Sequence, residues 1–183
     1  MLTSAALILL LSAAPVSVVG ELDQQLTVAE RRVIPAAEAM PEEHYAFAPT
    51  QGEFAGVRTF IEQVKHIAAV NYLILSAVRG EPPPEHVNQG RGPDAFRTRA
   101  EALKYLKESY AFAHGVTAAL TTESFLGPVA NPGGGPPGSR MELVSIAAIH
   151  AMDHYGQMVV YLRMNGIVPP ATQKEIEQQK KTR

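Results

Sequence analysis

Residues 139–170 read SRMELVSIAAIHAMDHYGQMVVYLRMNGIVPP, and the reading of this stretch decides the fold. Ser139-Arg-Met-Glu142 has the spacing of a capping box, a hydroxyl followed three residues on by a carboxylate, and predicts a helix start. Gly166, with Pro169-Pro170 just beyond, predicts its end. Between those signals Leu143, Ile146, Ala147, His150, His154, Gln157 and Tyr161 recur at the helical period and share one stripe. A stripe that begins with Leu and Ile faces a core, so the two histidines on it point inward.

Working outward, three further segments have helical periodicity, and no apolar run alternates with period two for the length a sheet needs. The first spans Leu22 to Met40, with Leu22, Leu26, Ala29, Val33 and Ala36/Ala37 in register; Pro35 predicts a kink or break and Pro41 the end. Thr50-Gln-Gly-Glu53 reads as a capping box opening a second helix, Glu53 to Arg79, stopped by Gly80 and Pro82-Pro83-Pro84. A loop fills Glu81 to Pro93. Asp94 is the expected N-cap of a third helix, Ala95 to Thr121. Gly127 to Gly138, GPVANPGGGPPG, is a low-complexity connector. Thr172 to Arg183 is a polar tail, read as a solvated last turn or frayed. Helices with one apolar face each bury those faces best against one another, so the expected fold is all-α, an antiparallel four-helix bundle over 21–172.

Composition narrows the chemistry. The chain has 183 residues, enough for one domain with a buried core. It contains no cysteine, which excludes disulfides, thiolate nucleophiles and cysteine metal sites. A net charge of −2 with no basic stripe argues against nucleic acid as a partner. Residues 2–19, LTSAALILLLSAAPVSVV, carry no charge and end near small residues at Gly20. Residues 1–20 are therefore expected to be a signal peptide, the mature chain periplasmic or secreted with no membrane span; without export it is cytoplasmic. The missing Lys or Arg before the apolar run is a departure from that pattern.

The candidate functional residues are histidines. His150 and His154 stand four apart on one helix face, a spacing at which two imidazoles can share one ion. Six histidines placed at random give about 0.16 such pairs, so the pair alone is a modest signal. His66 strengthens it, because its own stripe, Ala69, Val70, Leu73 and Ala77, is otherwise apolar. Buried imidazoles need partners, and a shared divalent metal satisfies three neutral ones at once. The competing reading is that each ring hydrogen-bonds a neighbour. His44 and His86 fall in loops and read as surface residues; His114 reads as a helix-end group acting on the dipole. Beside the triad, Gln157, Tyr161, Asp153 and Glu62 are candidates for acid, base or orienting roles, with Asn71 and Tyr72 as further polar neighbours.

VKHIAAVNYL at 64–73, HAMDHYGQ at 150–157 and the following YLRMNGIVPP, together with MPEEHYAFAPT and EFAGVRTFIEQVKH, resemble the DinB/YfiT-like superfamily. The resemblance covers nearly all of 21–172. It implies a four-helix bundle with a divalent metal, zinc or nickel, on His66, His150 and His154, and homodimers in many members. Some members use a low-molecular-weight thiol in transferase or isomerase reactions, and others are iron-dependent and join sulfur to an imidazole substrate; apart from the resemblance, a metal on three neutral histidines with an open position can make a bound water or thiol nucleophilic. Two departures matter. Iron-dependent relatives carry H-x-x-x-H-x-E, and Gly156 stands here at the last position. Mycothiol-dependent isomerases carry a glutamate where this chain has His150. The expectation is thus a metal-dependent hydrolase or thiol transferase; the alternatives are a metal-binding bundle without turnover, such as an exported stress or sensor protein, and a plain helical interaction domain.

Overall fold

Four hydroxyl side chains decide where the long helices begin. The computed structural model describes residues 17–182, so the expected leader lies, up to Val16, outside the described residues. Ser17, Thr59, Thr98 and Ser139 each accept a hydrogen bond from the backbone N–H three residues on. Behind them run α1 (Val18–Ala39), α2 (Phe60–Arg79), α3 (Arg99–Ala118) and α4 (Arg140–Met164), followed by a shorter α5 (Pro170–Lys181). A two-residue ribbon, Pro128–Val129 with Gly138–Ser139, ties the connector before α4.

Two predicted starts are corrected. The sequence holds two T-x-x-E boxes nine residues apart, and α2 uses the second. Thr59 and Glu62 complete a reciprocal box, Glu62 Oε2 accepting from the Thr59 N–H at 2.7 Å. The Thr50 box fails because Gly52 has φ +98°, outside any right-handed helix, and residues 50–58 expose what a helix there would have to bury. Likewise α3 begins at the Thr98–Glu101 box rather than at Asp94, whose carboxylate instead accepts from Asn88 Nδ2 at 3.2 Å.

The expected break at Pro35 does not occur. Pro35 costs one backbone bond, yet α1 continues through buried Ala36 and Ala37. Its last carbonyls are taken by distant donors: Arg99 donates to Glu38 O at 2.7 Å and Met40 O at 3.1 Å, and Tyr45 Oη to Ala37 O at 2.7 Å. The polar tail is also corrected. Pro170 takes the first helical position, where its missing N–H costs nothing, and opens a three-turn helix exposed from Gln173 onward. The ends of α4 match expectation, with Ser139 as N-cap and Gly166 at φ +72° after the last turn.

The helices form a square in which α1 packs on α4, α4 on α2, α2 on α3, and α3 on α1. Cross-helix contacts set the directions. Arg58 O meets Tyr161, Gln63 meets Gln157, and Val78 O meets Arg140, so α2 and α4 are antiparallel. Asp23 meets His114 and Glu38 meets Lys107, so α1 and α3 are antiparallel. Tyr72 stacks on Tyr105 and Arg79 lies over Phe112, so α2 and α3 run the same way, allowed by the long connection between them. The core is filled by Leu26, Phe60, Ile67, Leu106, Tyr110, Met158 and their neighbours, all essentially inaccessible. No helix among the described residues is long and apolar enough to cross a membrane.

Candidate metal centre

The antiparallel α2–α4 wall sets the register of the polar residues within it. The predicted α4 stripe faces inward: Leu143, Ala147, His154 and Tyr161 are buried, and Ile146, His150 and Gln157 half-buried. His66 faces it from the second turn of α2. His150 Nε2 lies 3.1 Å from His66 Nε2 and 3.1 Å from His154 Nε2. The donor atoms of all three residues lie within 4.8 Å of one another.

Hydrogen bonds on the far side of two rings decide what these nitrogens carry. His66 Nδ1 lies 2.6 Å from the Gly90 carbonyl, and a carbonyl only accepts, so Nδ1 holds the proton and Nε2 a lone pair. His154 Nδ1 lies 2.7 Å from Gln63 Oε1, with the same consequence. His150 Nδ1 is buried without a partner among the described residues. Two lone pairs therefore converge on the His150 ring, whose Nε2 can donate to only one of them. A divalent cation resolves this, taking one lone pair from each ring. Zinc–nitrogen bonds of about 2.0–2.1 Å in a tetrahedron place donors about 3.3 Å apart, close to the two 3.1 Å separations made by His150. The donor set fits the group.

The electrostatics favour the ligating, neutral form. Burial, then the neighbouring His154 and His66 rings, pushes His150 down to about 3, with a smaller contribution from the Arg58 guanidinium; Asp153 opposes the shift. Burial, then His66 and Arg58, pushes His154 down to about 4. Burial also lowers His66, against the opposing influence of its Gly90 hydrogen bond.

The Gly90 carbonyl is delivered by a costly turn. Asn88 (φ +49°), Gln89 (φ +53°) and Gly90 (φ +85°) are consecutive left-handed residues, and only the third is a glycine. Asn88 holds the turn by donating to Gly92 O at 3.1 Å and accepting from Arg91 at 3.1 Å. Neither Gly90 nor Gln63 was singled out in the sequence. Gln63 had a signal, a polar residue on an apolar helix face, and it is 1% exposed.

The other candidates fall in different places. Gln157 Oε1 accepts from Gln63 Nε2 at 2.8 Å, and its own Nε2 donates to Asp153 Oδ2 at 3.1 Å. Tyr161 Oη donates to Arg58 O at 2.9 Å, holding the entry of α2 against α4. Glu62 is turned to its own helix N-terminus, where Thr59 occupies its carboxylate. Asn71 donates to Ser109 Oγ at 3.2 Å, and Tyr72 packs in an aromatic cluster with Tyr105, Phe112 and the exposed His86. His44 is exposed in a single turn. The helix-dipole reading of His114 is corrected: its Nδ1 lies 2.6 Å from Asp23 Oδ1 and its Nε2 3.4 Å from Glu30 Oε2, both carboxylates on α1.

Comparison with known proteins follows the same lines. A family model described as the DinB superfamily matches residues 25–158. A DinB-like protein from Bacillus subtilis superposes with a TM-score of 0.61 at 18% identity, over 80% of this chain and 92% of that one. A DinB-like protein from Bacillus cereus ATCC 10987 superposes with a TM-score of 0.64 at 19% identity, over 82% and 95%. At those identities the likeness speaks for the fold alone. No curated protein matches the sequence.

Proposed function

Since the chain belongs to the DinB superfamily, we propose that it holds one divalent metal ion on His66, His150 and His154 and acts through it on a small molecule, as a hydrolase or a thiol transferase. The observation that carries this reading is the convergence of three imidazoles, two with Nε2 left as a lone pair by their Nδ1 hydrogen bonds. Three neutral imidazoles suit zinc or nickel. An ion so held, with a coordination position left for water or substrate, supplies Lewis acidity and makes a bound water or thiol nucleophilic near neutral pH.

The chain's own residues prepare the site. Gly90 and Gln63 hold two rings in the ligating tautomer. Arg58 disfavours protonation of all three rings and adds positive charge beside them. Tyr161 fixes the Arg58 backbone. Elemental analysis of purified protein tests the reading: about one zinc or nickel per chain is expected, and none in His150→Ala. Equal metal in both proteins removes the site.

We also infer that the chain is exported and works outside the cytoplasm. Support comes from the uncharged run 2–19; a cut near Gly20 would take the Ser17 cap and the first residues of α1 with it but leave the first buried residue of that helix, Leu22, in place. Fractionation with N-terminal sequencing checks it, and full-length chain in the cytosol defeats it.

A further inference from the structure

Metal ligation through His154 Nε2 requires the proton to sit on Nδ1, and the group that enforces this is three hydrogen bonds away. Asp153 Oδ2 accepts from Gln157 Nε2 (3.1 Å), Gln157 Oε1 accepts from Gln63 Nε2 (2.8 Å), and Gln63 Oε1 accepts from His154 Nδ1 (2.7 Å). A primary amide has one donating and one accepting end, so the two glutamines by themselves could point either way. Reversed, Gln63 Nε2 would donate to His154 Nδ1, the proton would move to Nε2, and the nitrogen facing the other imidazoles would lose its lone pair. The reversed chain ends with Gln157 Oε1 facing Asp153 Oδ2, two acceptors with no hydrogen between them. An ionised carboxylate cannot donate, so it permits one direction only.

We propose that Asp153, Gln157 and Gln63 form a one-way hydrogen-bond relay in which the Asp153 carboxylate selects the metal-binding tautomer of His154. All three are positioning residues, since each acts through another side chain. The relay has no counterpart at the other two rings. His66 is oriented by the Gly90 carbonyl, which is an unambiguous acceptor, and His150 has no partner on Nδ1 among the described residues. His154 is therefore the ligand whose state can be altered from the surface, because Asp153 is exposed while Gln63 and His154 are buried. The value of the relay to the protein rests on the metal reading above; its existence does not.

The test reads the tautomer directly in metal-free protein, by the imidazole 15N shifts of His154, and separately measures binding of zinc ion alone. Asp153→Asn removes the tie-break, because the new amide can also point either way. A mixture of His154 tautomers is expected, with zinc affinity reduced on the order of two- to tenfold. Asp153→Glu restores the single Nδ1–H form. In a Gln157→Leu background Asp153→Asn has no further effect on the tautomer, and zinc keeps only the smaller loss that the Asp153 charge makes directly at His150. A single unchanged tautomer in Asp153→Asn overturns the relay, as does an undiminished effect in the Gln157→Leu background. Failure of the wild-type protein to bind zinc or nickel, with the tautomer shift intact, overturns the metal reading and leaves the relay standing. Asp153 is at the surface, so folding of the variants, checked by circular dichroism, is expected to match wild type.

Discussion

Two opposite walls of the helical square are each stapled by histidine, and they do so in opposite electrostatic settings. On the α2–α4 wall, His66, His150 and His154 face one another beside the Arg58 guanidinium, and the charged form of each ring is disfavoured. On the α1–α3 wall, His114 sits between the Asp23 and Glu30 carboxylates. The residue type is the same and the helix pairing is antiparallel in both. What differs is the charge of the neighbours: imidazoles offering lone pairs to a common point could hold a cation, while an imidazole between carboxylates makes an interhelical bond and needs no ion. The function of a histidine here is set by what faces it from the next helix.

The largest expected effect separates the walls by metal content. His66→Ala or His150→Ala is expected to take bound metal from about one ion per chain to near none, while His114→Ala leaves the stoichiometry unchanged. Loss of metal in His114→Ala would erase the distinction.

Acid is the next way to tell them apart. In metal-free protein His150 is held down to about 3 and His154 to about 4, while unfolded histidine titrates near 6.5. Between those values the unfolded chain binds more protons than the folded one, so stability rises with pH. Stability is expected to fall as pH drops from about 6.5 toward 3–4, and then to stop falling on this account. Thermal melts from pH 7 to pH 4 check it, and the His150→Leu/His154→Leu variant should flatten the profile in that window. An equal slope in both would assign acid sensitivity to other groups.

How much of this was legible in the sequence differs between the walls for a physical reason. The α4 stripe and its Ser139 and Gly166 boundaries are local patterns, and so was the inward direction of His150 and His154. His66 was legible because it interrupts an otherwise apolar face. The start of α2 was not, because two T-x-x-E boxes compete and the choice depends on which is followed by a face the bundle can bury. Phe60 and Val64 behind Thr59 are buried, and nothing behind Thr50 is. The roles of Gly90, Gln63 and His114 depend on partners 24 or 91 residues away, which only the packing register brings together.

Smaller effects probe the supports of each staple. Gly90→Ala forces a Cβ into φ +85°; its nearest contacts, 3.6 Å from Val70 and 3.8 Å from His66, are ordinary, so the cost is conformational. A loss of about 1–2 kcal/mol is expected, with weaker metal binding as the carbonyl shifts from His66. His114→Ala is expected to cost about 1 kcal/mol, since the bond to Asp23 is short but partly solvated. Chemical denaturation measures both. A metal effect in the second and none in the first would invert the assignment of the walls.

The smallest effect has the opposite sign. Gln89 holds a left-handed conformation at φ +53°, ψ +35° beside the Gly90 carbonyl, with its side chain exposed. A non-glycine residue there costs roughly 1–2 kcal/mol relative to right-handed backbone. Glycine removes that strain but returns roughly 0.5–1 kcal/mol of chain entropy to the unfolded state. Gln89→Gly is therefore expected to stabilise the protein by about half a kcal/mol while leaving metal affinity unchanged, because the carbonyl facing His66 belongs to the next residue. Destabilisation would show that the Gln89 side chain holds the turn. A gain in stability with lost metal affinity would show that the strain itself presses the Gly90 carbonyl onto His66, and the α2–α4 staple would then depend on stored backbone energy as well as on its facing groups.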